Sequence, residues 1–430
     1  MTEPTKYESY IDTGNEWLGA IPSSWNTILL SQAVYQVKNK NSELQEKNLL
    51  SLSYGKIKRK PIDANGGLLP ESFDGYNIIE TNDIVLRLTD LQNDHRSLRV
   101  GISSERGIIT SAYITLRPRK QSAAKYLYYL LHTFDIRKGF YGMGSGVRQG
   151  LNYDEVKRLK LPLPTESEQK AISDYLDNKL SRVDTLISEA KTSIEEYKAW
   201  KASIIFEAVT KGLDPNVEMK DSGVEWIGKI PSCWNMMRIK DCAVFMPKVD
   251  FSSIRKDDMI TFTPMDCIKN GYFENKGNVF SEIEGSYTPY AEGDIVFAKV
   301  TPCFENGNAA IMENLFSNVG LGSSELFVLR AKNIDIKYLF YFIRNKGFIQ
   351  AATSTMTGTG GLKRVSSDFV KNAPIPIPGK EEQKKISNYL DKQCKRIDDL
   401  VSEKESLISD LESYKKSLIF EVVTGKRRVC

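Results

Sequence analysis

The feature that most constrains the fold of this chain is an internal repeat. Residues 168–210 align without a gap onto residues 382–424, and 21 of the 43 aligned positions are identical. A length of 430 residues is too great for one ordinary core. The repeat and the length together indicate that the chain is a tandem duplication of one fold. Further identities open the two halves and pair Trp17, Gly19, Pro22 and Trp25 with Trp226, Gly228, Pro231 and Trp234.

Between these matched segments the two halves diverge but keep short landmarks. Asp83 and Arg117 in the first half correspond to Asp294 and Arg330 in the second, each within a matching apolar context. The two halves should therefore share a fold and differ in surface.

Each half also has the pattern of short strands with one helix. Apolar and polar residues alternate over residues 83–88 and 112–116, between Gly and Asn turns. Residues 125–133 and 337–344 have a helical pattern. We therefore predict an α+β domain in each half.

A long helix follows each domain. The repeated segment at Glu168 contains few helix breakers, follows a proline-rich lead at residues 161–164, and has Thr165 as the start of a capping box. The second copy follows a similar lead at residues 374–378. Helices of about 43 residues would be roughly 65 Å long at 1.5 Å per residue.

Apolar residues recur along both helices at spacings of four and three, which is the heptad pattern of a coiled coil. In the first helix only Lys201 interrupts this seam. Because a lone solvated helix would leave such a stripe exposed, we predict that the two seams pair within the chain. The alternative is that the seam only joins two domains or makes the chain dimerise. The predicted seam residues are Leu176, Leu180, Val183, Ile187, Ile194, Tyr197 and Ile204, and Leu390, Ile397, Val401, Ile408, Leu411, Leu418 and Val422.

These observations predict an α+β protein with four parts. Two α+β domains, residues 1–164 and 213–378, are separated by two long antiparallel coiled-coil helices, residues 165–212 and 379–425. The helices run antiparallel if a twofold axis relates the two halves.

Net charge does not by itself identify a partner. The formal charge is +4, which is small for a chain of this size but compatible with local basic surfaces. Arg and Lys contact phosphates and guanine edges, and Asn and Gln pair with adenine in the major groove. We therefore predict DNA contacts at polar loop residues, with an ordinary solvated side chain as the alternative for each. The candidates are Lys56, Lys58, Arg59, Lys60, Arg87, Arg96 and Arg99, and Lys299, Asn306 and Asn308.

Glycine-rich stretches occupy matching positions just before each long helix, at residues 142–150 and 357–364. Glycine allows a backbone to approach a phosphate closely, and the adjoining cations supply charge. These stretches predict a DNA contact, with a flexible hinge as the alternative. A nucleotide-binding Rossmann loop is disfavoured because no clear βαβ unit surrounds them. The candidates are Gly144, Ser145, Gly146, Arg148 and Gln149, and Thr359, Gly360, Gly361, Lys363 and Arg364.

Signatures of catalysis, metal binding and membrane insertion are missing from the sequence. It contains neither an Asn-Pro-Pro-aromatic motif of adenine methyltransferases nor the G-x-x-x-x-G-K-[ST] loop of ATP-driven motors. The sequence has only two histidines, His95 and His132, and six cysteines without a C-x-x-C pair. We therefore predict no catalytic residue, no metal site and no disulfide framework. No apolar run approaches the roughly 20 residues that cross a bilayer, so we expect a cytoplasmic protein.

Two motifs resemble those of a known family. Each half opens with Trp-x-Gly-x-Ile-Pro-Ser-x-Trp, and each long helix begins with Glu-Gln-Lys-x-Ile-Ser-x-Tyr-Leu-Asp. Together they resemble the specificity subunits of type I restriction-modification systems, and the resemblance covers nearly the full chain. It implies that residues 25–161 and 234–374 are target recognition domains. Each would read one half of an asymmetric, bipartite DNA sequence, and the long helices would set the spacing.

The same resemblance implies partners that carry the chemistry. Two adenine-N6 methyltransferase subunits would dock on the chain, and restriction-translocase subunits would join them for cleavage. S-adenosylmethionine, ATP and Mg²⁺ are then expected only on those subunits. This chain is expected to bind double-stranded DNA without a cofactor and without catalysis. Two alternatives stay open: a coiled-coil scaffold that binds only proteins, and a self-contained modification enzyme.

Overall fold

The chain divides into two compact units, Met1–Ala190 together with Glu405–Cys430, and Lys191–Lys404. The structure, a computed structural model, describes residues 6–61, 72–94, 98–143, 150–359 and 361–429. Each unit contains one α+β domain and one segment of each long helix.

The first domain has the predicted mixture of short strands and helices. Its strands are β1 (Tyr10–Asp12), β2 (Ala20–Pro22), β3 (Asn26–Leu29), β4 (Val34–Val37), β5 (Leu50–Ser53), β6 (Lys56–Arg59), β7 (Asn77–Ile79), β8 (Ile84–Leu86), β9 (Val100–Ile102), β10 (Gly107–Ile109), β11 (Ile114–Pro118) and β12 (Lys160–Leu163). Its helices are α1 (Leu30–Ala33), α2 (Ala124–Ile136) and α3 (Tyr153–Val156), and the long helix α4 (Glu166–Lys211) follows.

The second domain repeats this order of strands and, among the described residues, has one additional short helix. Its strands are β13 (Met219–Asp221), β14 (Lys229–Pro231), β15 (Asn235–Arg238), β16 (Ala243–Phe245), β17 (Met259–Thr263), β18 (Gly277–Val279), β19 (Thr288–Ala291), β20 (Ile295–Ala298), β21 (Ala309–Ile311), β22 (Val319–Gly322), β23 (Leu326–Ala331) and β24 (Pro374–Ile377). Its helices are α5 (Ile239–Cys242), α6 (Ile336–Ile343), α7 (Lys346–Thr353) and α8 (Ser367–Asn372), and the long helix α9 (Lys380–Val423) follows.

A four-stranded antiparallel sheet with the same strand order occurs in each domain. The order is β4-β11-β8-β9 in the first and β16-β23-β20-β21 in the second. The pair β3-β12, which leads into α4, is matched by β15-β24, which leads into α9. The repeated topology confirms the predicted α+β class and the tandem duplication.

A second group of strands differs between the domains. In the second domain β18-β17-β22-β19 form one mixed sheet, in which β17 and β22 are parallel. In the first domain the corresponding strands form two separate pairs, β5-β6 and β10-β7, joined by a parallel bridge between Leu49 and Ile108. The shared scaffold therefore carries surfaces that differ, as the divergence of the two halves predicts.

A buried ion pair explains two of the repeated landmarks. The Asp83 carboxylate accepts hydrogen bonds from Nε and Nη2 of Arg117 on β11, both at 2.7 Å. Asp294 makes the same contacts with Arg330, at 2.7 and 2.8 Å. Both carboxylates are fully buried, and hydrogen bonding to Asp83 raises the pKa of Arg117 above its ordinary value. Because an unpaired buried charge is costly, each sheet requires both members of its pair.

A buried tyrosine in each domain connects the two long helices. Its hydroxyl contacts the strand that leads into one of them and the C-terminal part of the other. The Tyr126 hydroxyl on α2 lies 3.0 Å from the Pro162 carbonyl in β12 and 3.1 Å from the Val423 carbonyl in α9. In the second unit the Tyr338 hydroxyl contacts the equivalent carbonyls, 2.8 Å away in β24 and 3.0 Å away at Val209 in α4. Burial raises the pKa of both phenols well above the ordinary value, so they stay protonated donors.

The predicted capping box forms at the start of α4. The Glu168 N–H donates to Thr165 Oγ1 at 3.3 Å, and the Thr165 N–H donates to the Glu168 carboxylate at 3.1 Å. The same carboxylate accepts a hydrogen bond from the Trp25 indole at 3.2 Å, as Glu382 does from Trp234 at 3.0 Å. The two sequence motifs therefore meet in one contact between domain and helix.

An ion pair links the two long helices in each unit. In the first unit Lys415 of α9 pairs with Asp184 of α4. In the second unit Nζ of Lys201 on α4 lies 2.7 Å from both carboxylate oxygens of Asp398 on α9. The two lysines occupy equivalent positions of the repeat, and so do the two aspartates. The lysine that interrupts the predicted apolar seam thus has an interhelical partner.

Apolar contacts flank these ion pairs and show the direction of the helices. In the first unit Leu176, which precedes the paired residue of α4, shares a core with Val422, which follows the paired residue of α9. In the second unit Val209, which follows the paired residue of α4, shares a core with Leu390, which precedes the paired residue of α9. The helices are therefore antiparallel within each unit. The buried seam residues are Leu176, Leu180, Val183, Ile187, Ile194, Leu390, Ile397, Leu418 and Val422, and the half-buried ones are Tyr197, Ile204, Val401, Ile408 and Leu411.

The described residues contain five cysteines, all of them free thiols, and Cys242, Cys267 and Cys394 are buried. Across the same ranges no group of three or more His, Cys, Asp or Glu side chains is arranged to hold a metal ion. Nor does any helix there combine the length and apolar character needed to cross a membrane.

We expect Leu418→Ala to lower the free energy of unfolding by about 2–5 kcal/mol, because it removes packing from a fully enclosed site. Leu418 is 1% exposed in the core that α9 shares with α4, whereas Leu407 on the same helix is 42% exposed. Leu407→Ala should therefore change that free energy by less than about 0.5 kcal/mol. Chemical denaturation of both variants measures the difference. Equal losses would contradict the burial of the seam.

Candidate nucleic-acid interface

In both domains the loop after one central strand meets the end of the glycine-rich segment. The first loop, residues 87–94, follows β8, and the Leu151 N–H donates to a carbonyl of this loop at 2.9 Å. The second loop, residues 299–308, follows β20, and the Val365 N–H donates to the Lys299 carbonyl at 2.9 Å. We call each meeting point a loop junction. It brings together candidates that lie in separate segments of the sequence.

Thr301 ties the two segments of the second loop junction together. Its N–H donates to the Lys363 carbonyl at 2.9 Å, and its hydroxyl accepts from the Lys363 N–H at 3.0 Å and donates to the Gly361 carbonyl at 2.9 Å. Gly358 has φ 143°, and a Cβ there would lie 2.3 Å from the Leu362 carbonyl oxygen. Only glycine fits this position. The backbone is held at these points, which disfavours a freely flexible hinge.

The cations of the second loop junction differ in their engagement. Arg364 pairs with Glu325, with Nη2 2.7 Å from the carboxylate, and this pair lowers the pKa of Glu325. Lys299 donates from Nζ to the Ser324 carbonyl at 2.7 Å. Lys363 is exposed beside Thr359 and Gly361, and in the described ranges its ammonium has no acceptor. Lys363 is the cation best placed to contact a phosphate.

Two asparagines of the second loop differ in exposure. Asn306 is exposed, and its carbonyl accepts a hydrogen bond from the Asn270 side chain at 2.8 Å. Asn308 is half-buried, and its carbonyl accepts from the Ala298 N–H at 3.0 Å. The Asn306 amide has the better access to a base edge. The supporting contact from Asn270 was not predicted, because nothing in the sequence links these two distant positions.

The hairpin β5-β6 carries the basic run of the first domain. Lys56, Lys58 and Lys60 are exposed, whereas Arg59 pairs with Glu105 through Nε at 2.8 Å. Hydrogen bonding to Arg59 lowers the pKa of the Glu105 carboxyl. Because side chains alternate along a strand, Lys56 and Lys58 lie on one face of β6 and Arg59 on the other. The run therefore divides into two surfaces rather than one patch.

The structure buries Arg99, which the sequence predicted as an accessible DNA contact. Its side chain is completely buried. Its five N–H groups face four backbone carbonyls and the Tyr141 hydroxyl, so none remains for a base or a phosphate. Arg87 is half-buried, and its carbonyl is one of these acceptors. The predicted contacts that lie outside the described residues are Arg96, Gly144, Ser145, Gly146, Arg148, Gln149 and Gly360.

The first loop exposes two amide side chains that the sequence analysis missed. Gln92 and Asn93 are exposed, next to the fully buried Leu91. The Asn93 amide donates to the Asp90 carboxylate at 2.8 Å. The signal that could have found them is their place in the repeat, since they follow β8 as Asn306 follows β20.

Each unit also has a cleft between its domain and its long-helix segments. In the first unit a cavity of about 630 Å³ is lined by the tip of β5-β6, α2, α4 and α9, and Lys56 lies on its wall. In the second unit a cavity of about 440 Å³ is lined by α6, α4, α9 and residues 270–272. His132 in the first cleft and Arg344 in the second occupy equivalent positions of the repeat. Lys56 therefore lies toward the long helices rather than at the loop junction.

His132 is a neutral imidazole in this cleft. Burial, together with the charge of Lys415, lowers its pKa to about 4. Its ring stacks on Tyr128 at a centroid distance of 5.5 Å, and among the described atoms Nδ1 has no hydrogen-bond partner. The imidazole therefore contributes no positive charge to a DNA surface at neutral pH.

A family model described as the type I restriction modification DNA specificity domain matches residues 78–196 and 231–409. These two matches cover more than half of the chain, and one falls on each repeat. Each includes a loop junction and the beginning of a long helix.

Curated proteins of the same kind are similar to this chain. The type I restriction enzyme EcoEI specificity subunit of Escherichia coli is 34% identical over 169 residues, 38% of this chain and 28% of that protein. The EcoAI specificity subunit of the same organism is 33% identical over 202 residues, 46% of this chain and 34% of that protein. The chain thus matches about a third or less of the length of these two relatives. The MjaVIII specificity subunit of Methanocaldococcus jannaschii is 24% identical over 434 residues, 95% of this chain and 94% of that protein.

Two solved structures share the fold. A chain from a structure described as the basis of complex assembly and conformational transition of the type I R-M system has a TM-score of 0.68 at 14% identity, covering 94% of this chain and 98% of its own. The HsdS subunit from Thermoanaerobacter tengcongensis has a TM-score of 0.51 at 13% identity, with the same coverage of 94% and 98%. At these identities the likeness concerns the fold alone.

Replacement of Lys363 by glutamine should weaken binding to random-sequence duplex DNA. The slope of log affinity against log salt concentration should fall by about 0.9, the value for one lost phosphate contact. Lys229→Gln removes the same charge from β14, which is not part of the loop junction, and should leave the slope unchanged. Fluorescence anisotropy titrations of the full chain at several salt concentrations give both slopes. An unchanged slope in Lys363→Gln would place the DNA surface elsewhere.

The half-buried His132 should make the first unit sensitive to acid. Because its folded pKa of about 4 lies below the ordinary 6.5, the unfolded chain binds more protons between these values, and stability falls as pH drops from 6.5 to 4. Between pH 7 and pH 5 the wild type should lose about 2 kcal/mol relative to His132→Gln. Denaturant titrations at both pH values measure this difference. A constant gap between the unfolding free energies of the two proteins would contradict the neutral imidazole.

Proposed function

Because the chain belongs to the family of type I restriction modification DNA specificity domains, we propose that it reads an asymmetric, bipartite DNA target. Each domain binds one half of the target, and the chain itself is non-catalytic. The observation that carries this proposal is the pair of loop junctions. One scaffold occurs twice and presents different side chains at the same place.

The difference between the loop junctions supports two unequal half-sites. The first loop exposes Gln92 and Asn93, whereas the second loop junction exposes Asn306 and Lys363. Amides in the major groove pair with adenine, and Lys contacts guanine or phosphate. Two loops with different side chains therefore read different bases.

In this proposal each loop junction enters a major groove, and exposed lysines contact the flanking phosphates. Half-sites on one face of B-DNA lie about 34–36 Å apart, or one helical turn. The long helices bridge the base pairs between the half-sites and act as a ruler. The Trp–Glu contact at the start of each long helix supports this role, because it fixes the domain on its helix. The interhelical ion pairs support it by fixing the register of the helices within each unit.

The catalytic work belongs to partner subunits in this proposal. Two adenine-N6 methyltransferase subunits dock on the chain, restriction-translocase subunits join them, and S-adenosylmethionine, ATP and Mg²⁺ bind only to these partners. Exposed aromatic side chains on the long helices support docking: Trp200 is 46% exposed, and Tyr414, its equivalent in the repeat, is 43% exposed. Methylation of a duplex adenine requires base flipping, so the chain also stabilises distorted DNA.

Methylome sequencing at single-molecule resolution tests this function. Cells that express a methyltransferase subunit from the same locus are compared with and without this chain. We expect N6-methyladenine in a chain-dependent motif whose two unequal halves are separated by a fixed spacer. Unchanged methylation with both proteins expressed would contradict the proposal and favour a scaffold that binds only proteins.

A second arm addresses the enzymatic alternative. The purified chain is incubated with S-adenosylmethionine and duplex DNA, with and without the methyltransferase subunit. We expect methyl transfer only when the subunit is present. Transfer by the chain alone would reject the non-catalytic role.

A further inference from the structure

The buried Arg99 holds the two flanks of the exposed tip of the first loop. Its Nη1 donates to the carbonyls of Arg87 at 3.1 Å and Thr89 at 2.7 Å, and its Nη2 donates to those of Asp90 at 3.2 Å and Asp94 at 2.5 Å. Thr89 and Asp90 precede the exposed amides, and Asp94 follows them. One guanidinium therefore closes the loop around its tip.

Neighbouring groups fix this guanidinium in turn. Arg99 Nε donates to the Tyr141 hydroxyl at 3.0 Å, and that hydroxyl donates to the Asp94 carbonyl at 3.0 Å. The backbone N–H of Arg99, rather than its guanidinium, donates to the Asp135 carboxylate at 2.6 Å. Burial raises the pKa of Asp135 to about 6 against the opposing effect of Arg99. The loop is therefore anchored to α2 and to the segment that follows it.

The second loop has a different internal anchor. Its Phe304 is 4% exposed and lies in the apolar core of the second unit. The Phe304 N–H donates to the Val300 carbonyl at 2.9 Å, and the Phe304 carbonyl accepts from the Gly307 N–H at 2.9 Å. A buried phenyl ring thus anchors the second loop, whereas the first loop is held by the buried guanidinium of Arg99.

We propose that Gln92 and Asn93 read bases of one half-site and that Arg99 is the positioning residue that presents them. This inference rests on the function proposed above and adds the residues that determine one half of the specificity. A side-chain amide discriminates a base only when its backbone is held in place, since its hydrogen bonds to adenine are bidentate. Arg99 holds the backbone on both sides of the two amides. It touches no base itself.

Lysine cannot replace Arg99 in this role. A guanidinium presents five donors in a planar fork, whereas an ammonium presents three donors on one nitrogen. The four carbonyls and one hydroxyl around Arg99 match the fork. Arg99→Lys keeps the charge but leaves part of the loop without its anchor.

The first test replaces the reading residue. Gln92→Ala is expressed with the methyltransferase subunit, and the methylome is compared with that of the wild-type chain. We expect discrimination at one or two adjacent positions of one half-site to fall roughly tenfold, with the other half-site unchanged. A motif intact in both halves, for this variant and for Asn93→Ala, would overturn the assignment of the reading residues.

The second test replaces the positioning residue. Arg99→Lys should blur the motif at the same positions as Gln92→Ala, because it loosens the loop that carries this amide. Degeneracy at other positions, or an intact motif, would overturn the role of Arg99. The coincidence of the affected positions separates positioning from a purely structural role.

Arg117→Lys is the matched control in the same domain. Arg117 is paired with the buried Asp83 at the opposite end of β8, so its loss should lower the stability of the domain and leave base preference unchanged. If Arg117→Lys blurs the same positions as Arg99→Lys, general destabilisation explains both, and the inference fails.

A milder variant decides the matter if Arg99→Lys abolishes all methylation. Tyr141→Phe removes only the hydroxyl that bridges Arg99 and the Asp94 carbonyl. Degeneracy confined to the same half-site would support the inference, and an unchanged motif would overturn it. A wild-type chain that yields no split motif would instead reject the proposed function, so the two failures are distinguishable.

Discussion

The antiparallel pairing of α4 and α9 within each unit is the contact on which the rest of the structure depends. Neither helix segment could stay in water alone, because its apolar seam needs a partner. The pairing also supplies the far side of each domain core: Tyr126 reaches the end of α9, and Tyr338 reaches α4. Each domain is therefore completed by the long helix of the other repeat. The duplication is a structural requirement as well as a sequence pattern.

The fold follows closely from the sequence because its determinants repeat. The long-helix segments align without a gap. The Trp–Glu pair of the two motifs and the Asp–Arg landmarks each correspond to one contact that occurs twice. The pairing within the second group of strands, which differs between the domains, did not follow from the sequence. It depends on how divergent segments pack, and no periodicity distinguishes the mixed sheet of the second domain from the two strand pairs of the first.

The candidate site followed from the sequence only in part. Lys363 and Asn306 are exposed as a DNA contact requires, yet Arg99, of the same chemical type as the other candidates, is buried. A sequence shows that a cation is present but not whether backbone carbonyls already use its donors. Gln92 and Asn93 were missed for the converse reason, since their exposure depends on the fold of a loop around a residue that follows them in the chain.

The proposed function requires that each domain read its own half of the target from a shared scaffold. The most direct measurement is the methylome of a chain in which residues 239–373 are replaced by residues 30–159. This exchange keeps the strands β15 and β24 and both long helices. We expect a methylated motif with two copies of one wild-type half-site at the wild-type spacing. A motif that still contains the other half-site would contradict this requirement.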